Sequence, residues 1–233
     1  MLIILPGWGG TKESWQEFIA LAQTNFDVRC LELPGFGNEP LPTQAWGVEE
    51  YAAFVKNKIN GLGIGKKVIL AHSFGGQVAT YLVGTNPGIC DTLILSGAAI
   101  FRREPSSKQG ILKAIASVGK SIFSLPGLSG LAGLARKVLY KSIGSPDYNH
   151  TSGLQREIFQ KVITQDVSDQ LKNITVKTLV VSGVKDTFVS VEDSRQAVKL
   201  LPNGTIVEFP EGKHGLHQSH TAELLKTIIE FLK

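Results

Sequence analysis

At residues 71–76 the sequence reads Ala71-His72-Ser73-Phe74-Gly75-Gly76, immediately after a short apolar run that is typical of a buried strand. A helix is predicted from Phe74 to Val83, so Ser73 lies at a tight turn from a strand into a helix. The small side chains of Ala71 and Gly75 leave room for the strained backbone that such a turn requires. The turn would lift the Ser73 hydroxyl above a sheet, although the same six residues also suit a turn whose serine only caps the helix.

Outward from this turn, short apolar runs alternate with longer segments of helical spacing. Six strands are predicted, at Leu2–Leu5, Phe26–Leu31, Lys67–Ala71, Thr92–Ser96, Thr178–Ser182 and Thr205–Phe209. Most of their residues are apolar, as expected of parallel strands covered on both faces. Helices are predicted over residues 13–23, 48–59, 74–83, 191–200 and 221–232. The alternation predicts an α/β fold with a doubly wound, mostly parallel sheet.

A long segment interrupts this alternation between the fourth strand and the fifth. Helical spacing recurs there over residues 111–125, 128–143 and 154–163. We therefore expect residues 101–170 to form a helical cap inserted into one core, which residues 1–100 and 171–233 build together. The apolar stripe of the cap either lines a substrate pocket or only seals the cap onto the core. The candidates for lining the pocket are Phe101, Ile115 and Leu125.

The composition is that of a folded, globular protein. Of the 233 residues, 42% are hydrophobic and 19% are charged, which excludes an intrinsically disordered chain. The longest apolar runs are far shorter than the roughly 20 residues that span a bilayer, so no transmembrane segment is predicted. The N-terminus lacks the features of a signal peptide, which predicts a cytoplasmic location. Cys30 and Cys90 have neither metal-binding nor disulfide spacing and are expected to be small buried hydrophobic residues.

The net charge of +4 is unevenly distributed along the chain. Residues 101–170 contain ten Lys and Arg against five Asp and Glu, whereas the rest contains fourteen against fifteen. This asymmetry argues against a nucleic-acid partner and is compatible with a weak contact between the cap and an anionic surface or a carrier protein. Ordinary solvated lysines explain the same count. The oligomeric state is not predicted.

A serine hydroxyl becomes a nucleophile only when a base takes its proton, so the Ser73 turn predicts a histidine and an acid elsewhere in the chain. Asp186 follows the fifth predicted strand and His214 follows the sixth. Because the carboxyl ends of parallel strands share one edge of the sheet, Ser73, Asp186 and His214 are expected to converge there. Their order along the chain is the one expected for this architecture.

Two backbone N–H groups are candidates for binding an oxyanion beside Ser73. One belongs to Phe74 at the start of its helix, and the other to Trp8 in the glycine-rich segment Leu5-Pro6-Gly7-Trp8-Gly9-Gly10. This segment does not predict a phosphate-binding loop, because no Lys-Ser or Lys-Thr pair follows its glycines. No metal site is predicted either: His217 and His220 follow His214 at helical spacing, but no cluster of carboxylates accompanies them.

With these residues in place, the chain resembles the α/β-hydrolase family over nearly its whole length. The resemblance lies in Pro6-Gly7-Trp8-Gly9-Gly10, Leu33-Pro34-Gly35-Phe36-Gly37, the Ser73 turn, and the surroundings of Asp186 and His214. Pro6 stands where the family usually has histidine, Glu32 precedes the second motif where the family usually has aspartate, and Ala71 replaces the first glycine of the turn. None of these departures touches the predicted proton relay.

The resemblance implies a serine carboxylesterase that cleaves a small-molecule ester through an acyl-enzyme, without a metal or organic cofactor. It also implies that His217 lines the pocket wall and that His72 is structural, with its side chain directed away from the site. Three alternatives stay open at this point. They are a ligand-sensing module that retains the fold, a lipid or acyl-carrier esterase recruited by the basic cap, and a hydrolase of C–C bonds.

Overall fold

The computed structural model describes residues 1–102 and 152–233. Its strands are β1 (Leu2–Leu5), β2 (Val28–Cys30), β3 (Val68–His72), β4 (Thr92–Ser96), β5 (Lys177–Gly183) and β6 (Gly204–Phe209). They form one sheet in the order β2-β1-β3-β4-β5-β6, and every neighbouring pair is parallel. The prediction of an α/β fold with a parallel sheet is therefore confirmed.

The described helices, numbered in chain order, are α1 (Gln16–Ala22), α2 (Val48–Asn60), α3 (Ser73–Thr85), α4 (Gly153–Val162), α5 (Val191–Leu200), α6 (Leu216–Ser219) and α7 (Thr221–Leu232). Short 3-10 helices lie at Glu13–Trp15 and Ser168–Asn173. The helix predicted over residues 13–23 is thus divided at Trp15. Residues 111–125 and 128–143 lie outside the described residues, so the inserted cap stays a prediction. None of the described helices has the length and apolar content to cross a membrane.

Helices cover both faces of the sheet, which explains why every residue of the central strand β1 is apolar. In β1, Leu2 and Ile4 pack into one buried cluster with side chains of α1 and α7. Ile3 and Leu5 pack into a second cluster with side chains of α2 and α3. Successive side chains of a strand point to opposite faces, so a strand covered on both faces needs apolar residues at every position. All four of these residues are fully buried.

The segments around Ile100 and Val167 lie next to each other. The backbone N–H of Val167 donates to the carbonyl of Ile100 at 3.2 Å. The side chain of Gln77, which is buried on α3, donates to the carbonyl of Val162 at 3.0 Å. The C-terminal end of α4 is therefore held against α3, beside the carboxyl end of the sheet.

Candidate active site

Ser73 is the first residue of α3 and has a left-handed backbone, with φ of 51°. It is the one non-glycine residue with positive φ among those the structure describes. Such a conformation is costly for a residue with a side chain and is concentrated at functional sites. A Cβ atom on Gly75 would lie 2.3 Å from the carbonyl oxygen of Pro6, so only glycine fits at that position. The sharp turn that the sequence predicts is therefore present, held close to the end of β1.

The side chains of Ser73, His214 and Asp186 form one chain of hydrogen bonds. His214 Nε2 lies 2.9 Å from Ser73 Oγ, and His214 Nδ1 lies 2.7 Å from Asp186 Oδ2. Because an ionised carboxylate only accepts, Nδ1 carries a hydrogen and Nε2 is free to accept the proton of the Ser73 hydroxyl. The three residues follow β3, β6 and β5, so the shared carboxyl edge of the sheet brings them together.

Asp186 is held rigidly from two directions. Its side chain is 1% exposed. While Oδ2 faces His214, Oδ1 accepts the backbone N–H groups of Phe188 at 2.7 Å and Val189 at 3.0 Å. These bonds fix the carboxylate in the orientation that aligns the His214 imidazole.

Gly97, which follows β4, makes room for this arrangement. A Cβ atom there would lie 3.2 Å from His214 Nδ1 and 3.3 Å from Asp186 Oδ2, and its φ of 51° is strained for any other residue. On the other side of the site, a Cβ atom on Gly7 would lie 3.1 Å from the Cβ atom of Ser73. Gly97 is not among the site residues predicted from the sequence. Its only sequence signal is a glycine directly after a strand whose neighbours carry site residues.

The two candidate oxyanion donors lie in the segments nearest Ser73. Phe74 is the second residue of α3, where a backbone N–H has no partner within the helix. The backbone N–H of Trp8 makes no hydrogen bond to another described residue. Trp8 and Phe74 also touch through their rings, whose centroids are 5.5 Å apart. Phe74 directly follows Ser73, and Trp8 directly follows Gly7, where a Cβ atom would lie 3.1 Å from the Ser73 Cβ atom, so both N–H groups stay candidates for an oxyanion site.

An aromatic cluster that no sequence pattern predicts surrounds the Trp8 indole. The Trp8 ring makes edge contacts with Phe36 and Phe159, each at 4.9 Å between centroids, and with Phe74. These residues come from four separate segments of the chain, so no local pattern connects them. Phe101, predicted to line the pocket, is half-buried against the core. Ile115 and Leu125 lie outside the described residues.

A layer of rings lies beside His214, and it changes the expectation for His72. The ring of His72 does not point away from the site: its centroid lies 4.6 Å from that of His214, and Nδ1 is 2.9 Å from the carbonyl oxygen of Ser96. The reason is the strand alternation, because His72 shares a sheet face with Leu70. The helix α6 also packs against this face.

His217, on α6, is 6% exposed and stacks on the Trp15 indole, with centroids 3.9 Å apart and planes 7° apart. Its Nδ1 atom is buried and has no hydrogen-bond partner among the residues that the structure describes. Burial, and secondarily the nearby His214, lowers the pKa of His217 to about 4. Burial likewise holds the pKa of His72 well below its usual range. Both rings are therefore neutral at neutral pH. The expected place of His217 in the pocket wall stays a prediction.

Neither cysteine has the chemistry of a competing nucleophile. Burial raises the pKa of both Cys30 and Cys90 to about 12, so their thiols stay protonated and unreactive. Over residues 1–102 and 152–233, no group of three His, Cys, Asp or Glu side chains is arranged to hold a metal ion.

Comparison with known proteins gives the family. A family model described as alpha/beta hydrolase fold matches residues 1–221. The chain belongs to the α/β-hydrolase fold family. This α/β hydrolase is 26% identical to the pimeloyl-[acyl-carrier protein] methyl ester esterase of Legionella pneumophila strain Paris, over 100% of its own length and 95% of that protein. It is 22% identical to the putative carbamate hydrolase RutD of Pseudomonas savastanoi, over 100% and 93% of the two chains.

Solved structures agree at the level of the fold. The esterase EaEST from Exiguobacterium antarcticum superimposes on this α/β hydrolase with a TM-score of 0.72 at 18% identity, covering 99% of this chain and 90% of that one. A serine hydrolase involved in carbazole degradation gives a TM-score of 0.72 at 17% identity, with the same coverage of 99% and 90%.

Proposed function

We propose that this α/β hydrolase cleaves carboxylic esters through an acyl-enzyme formed on Ser73. The observation that carries the proposal is the hydrogen-bond chain from Ser73 through His214 to Asp186, with both bonds at 2.9 Å or less. A serine on a strained turn, a histidine with its Nε2 lone pair directed at that serine, and a buried carboxylate on Nδ1 are the parts that nucleophilic acyl transfer requires.

In the first half of the reaction, the Ser73 oxygen attacks the ester carbonyl carbon while His214 Nε2 takes the hydroxyl proton. Asp186 stabilises the imidazolium that forms. The negative charge on the carbonyl oxygen is bound by the backbone N–H groups of Trp8 and Phe74. When the tetrahedral intermediate collapses, the bond to the alcohol oxygen breaks and His214 gives its proton to the departing alcohol.

In the second half, a water molecule attacks the acyl-enzyme, and His214 takes one of its protons. Collapse of the second intermediate releases the carboxylic acid and returns the proton to Ser73. The neutral state of His72 and His217 supports this cycle. A positive charge on either ring would repel the imidazolium and raise the barrier to proton transfer.

Labelling with a fluorophosphonate probe, read by intact-protein mass, tests the proposal. The expected result is one adduct on the native protein and none on Ser73→Ala. Ser219→Ala is the matched control, because Ser219 is an exposed serine on α6 and its hydroxyl donates to the carbonyl of Gly215. This control should label like the native protein. An adduct that persists on Ser73→Ala would assign the nucleophile to another residue.

A second candidate function is hydrolysis of an ester whose acyl group is attached to an acyl-carrier protein. The similarity to the Legionella esterase favours this function. The charge of residues 101–170 also favours it, because they contain ten basic and five acidic residues. Carrier recognition through charge would make kcat/KM fall steeply with salt, whereas a short uncharged ester would be insensitive. Equal salt dependence of the carrier-linked and the free ester would reject this candidate and leave the first one intact.

A further inference from the structure

Phe188 lies in the loop between β5 and α5, beside the candidate active site. Its ring centroid lies 4.9 Å from that of His214, with the planes inclined by 35°. Phe188 is 55% exposed, which is unusual for a large aromatic residue this close to a buried hydrogen-bond chain. Nothing in the proposed mechanism uses this ring.

The backbone of Phe188 is fixed next to Asp186, which places its exposed ring beside His214. Its N–H donates to Asp186 Oδ1 at 2.7 Å, so the residue is tied to the same carboxylate that orients His214. The ring is therefore held beside the imidazole by a rigid turn. Of the rings that contact His214 in the described residues, His72 is buried and Phe188 is the exposed one.

In the proposed reaction, the carbonyl oxygen and the alcohol part of the ester lie on different sides of Ser73. The carbonyl oxygen must face the N–H groups of Trp8 and Phe74. The alcohol oxygen must come within hydrogen-bonding distance of His214 Nε2, because it leaves with the proton that His214 carries. The carbon skeleton of the alcohol is then the part of the substrate next to the His214 ring, and hence next to Phe188.

We infer that Phe188 is a specificity-determining residue that contacts the alcohol part of the ester and favours apolar alcohols. The inference rests on the proposed function. An exposed aromatic face gains when an apolar group covers it, and aromatic groups also gain from ring-to-ring contact. The inference assigns no contact between Phe188 and the acyl part of the ester.

The test is a series of butyrate esters of methanol, butanol and benzyl alcohol, with kcat/KM measured for the native protein, Phe188→Ala and Phe188→Tyr. These esters give the same acyl-enzyme, so they differ only in the step during which the alcohol is still bound. The Phe188→Ala variant keeps the backbone N–H that binds Asp186. We expect the ratio of benzyl to methyl ester activity to fall roughly 10-fold in Phe188→Ala. Phe188→Tyr should retain the native ratio.

Val184→Ala is the matched control, because Val184 is a 44% exposed apolar residue in the same loop. It should leave the ratio unchanged. A second series with one alcohol and acyl chains of increasing length should show the same preference in the native protein and Phe188→Ala.

Three results would overturn the inference: an unchanged benzyl-to-methyl ratio in Phe188→Ala, an equal loss of activity on every ester, or a shift in acyl-chain preference instead. In each of them, fluorophosphonate labelling of Ser73 and continued ester turnover by the native protein would leave the proposed function standing. Absence of labelling and of turnover in the native protein would instead reject the proposed function, and the assignment of Phe188 with it.

Discussion

The ring of His217 lies flat on the indole of Trp15, with the centroids 3.9 Å apart and the planes 7° apart. The contact buries an imidazole that is one helical turn away from His214 in sequence. A buried neutral histidine makes the stability of the fold depend on pH, because the unfolded chain binds a proton that the folded one excludes.

The free energy of unfolding should therefore decrease as the pH falls from 7.5 to 4.5. With the pKa of His217 at about 4 in the fold and 6.5 as its ordinary value, the unfolded state takes up more protons throughout this window. The expected loss from His217 alone is roughly 2–3 kcal/mol. Urea unfolding at the two pH values measures it.

His217→Phe keeps an aromatic ring on Trp15 and removes the proton site, so the difference in unfolding free energy between the two pH values should shrink by about that amount. His220→Gln, which alters the half-buried histidine hydrogen-bonded to Ser219, is the control and should retain most of the difference. An unaltered difference in His217→Phe would show that His217 is not the group responsible.

Gly97→Ala should impair catalysis without removing any functional side chain. Its new Cβ atom would lie 3.2 Å from His214 Nδ1, which displaces the imidazole from its line between Asp186 and Ser73. We expect kcat to fall roughly 10-fold or more, since small displacements of reacting groups are expensive. Initial-rate kinetics on a short soluble ester measures the effect.

Gly88→Ala separates this crowding from backbone strain. Gly88 also has a positive φ, of 84°, but a Cβ atom there would meet nothing within 4 Å. Both variants should lose about 1–2 kcal/mol of stability to the left-handed backbone. Only Gly97→Ala should lose activity, and equal activity in the two variants would contradict the proposed role of the space beside His214.

His214→Ala should lower kcat about as much as Ser73→Ala, by roughly 10⁴-fold or more, because the residues act as a unit. The double variant should be no slower than either single variant. Asp186→Asn should cost somewhat less, since His214 and Ser73 remain. If His214→Ala retained near-native turnover while His217→Ala lost it, the general base would be His217.

Continued turnover also separates the enzyme from the ligand-sensing alternative. With ester in large excess over protein, we expect many equivalents of acid to be released at a constant rate. Release of a single equivalent followed by no further reaction would favour a module that binds its ligand and retains it. Titration of released acid against protein concentration distinguishes the two outcomes.

Much of the fold could be predicted from the sequence because the strands are short apolar runs. The site could be predicted because the carboxyl ends of parallel strands share one edge of the sheet. The apolar runs predict β1 and β4 at their observed bounds. Ser73, Asp186 and His214 each follow such a run, so local patterns were sufficient to bring them to the same edge. Their observed distances depend on the sheet order, which places β4 between β3 and β5.

The parts of the site that local patterns could not predict depend on contacts between distant segments. Phe159 meets Trp8 because α4, which is distant from Trp8 in the sequence, packs beside the same edge of the sheet. Phe188 lies against His214 because Asp186 binds the backbone two residues further along. The orientation of His72 was predicted wrongly because the prediction rested on the Ser73 turn alone. His72 is the last residue of β3, and its ring lies on the sheet face beside His214.

Trapping the acyl-enzyme tests most directly whether Ser73 is the nucleophile. The native protein is mixed with excess p-nitrophenyl butyrate, quenched in acid within milliseconds and digested, and the peptide that contains Ser73 is analysed by mass. We expect a butyryl group on Ser73, formed together with a burst of p-nitrophenol. Steady release of p-nitrophenol with no acyl group on Ser73, or an acyl group on a different residue, would contradict the assignment of Ser73 as the nucleophile.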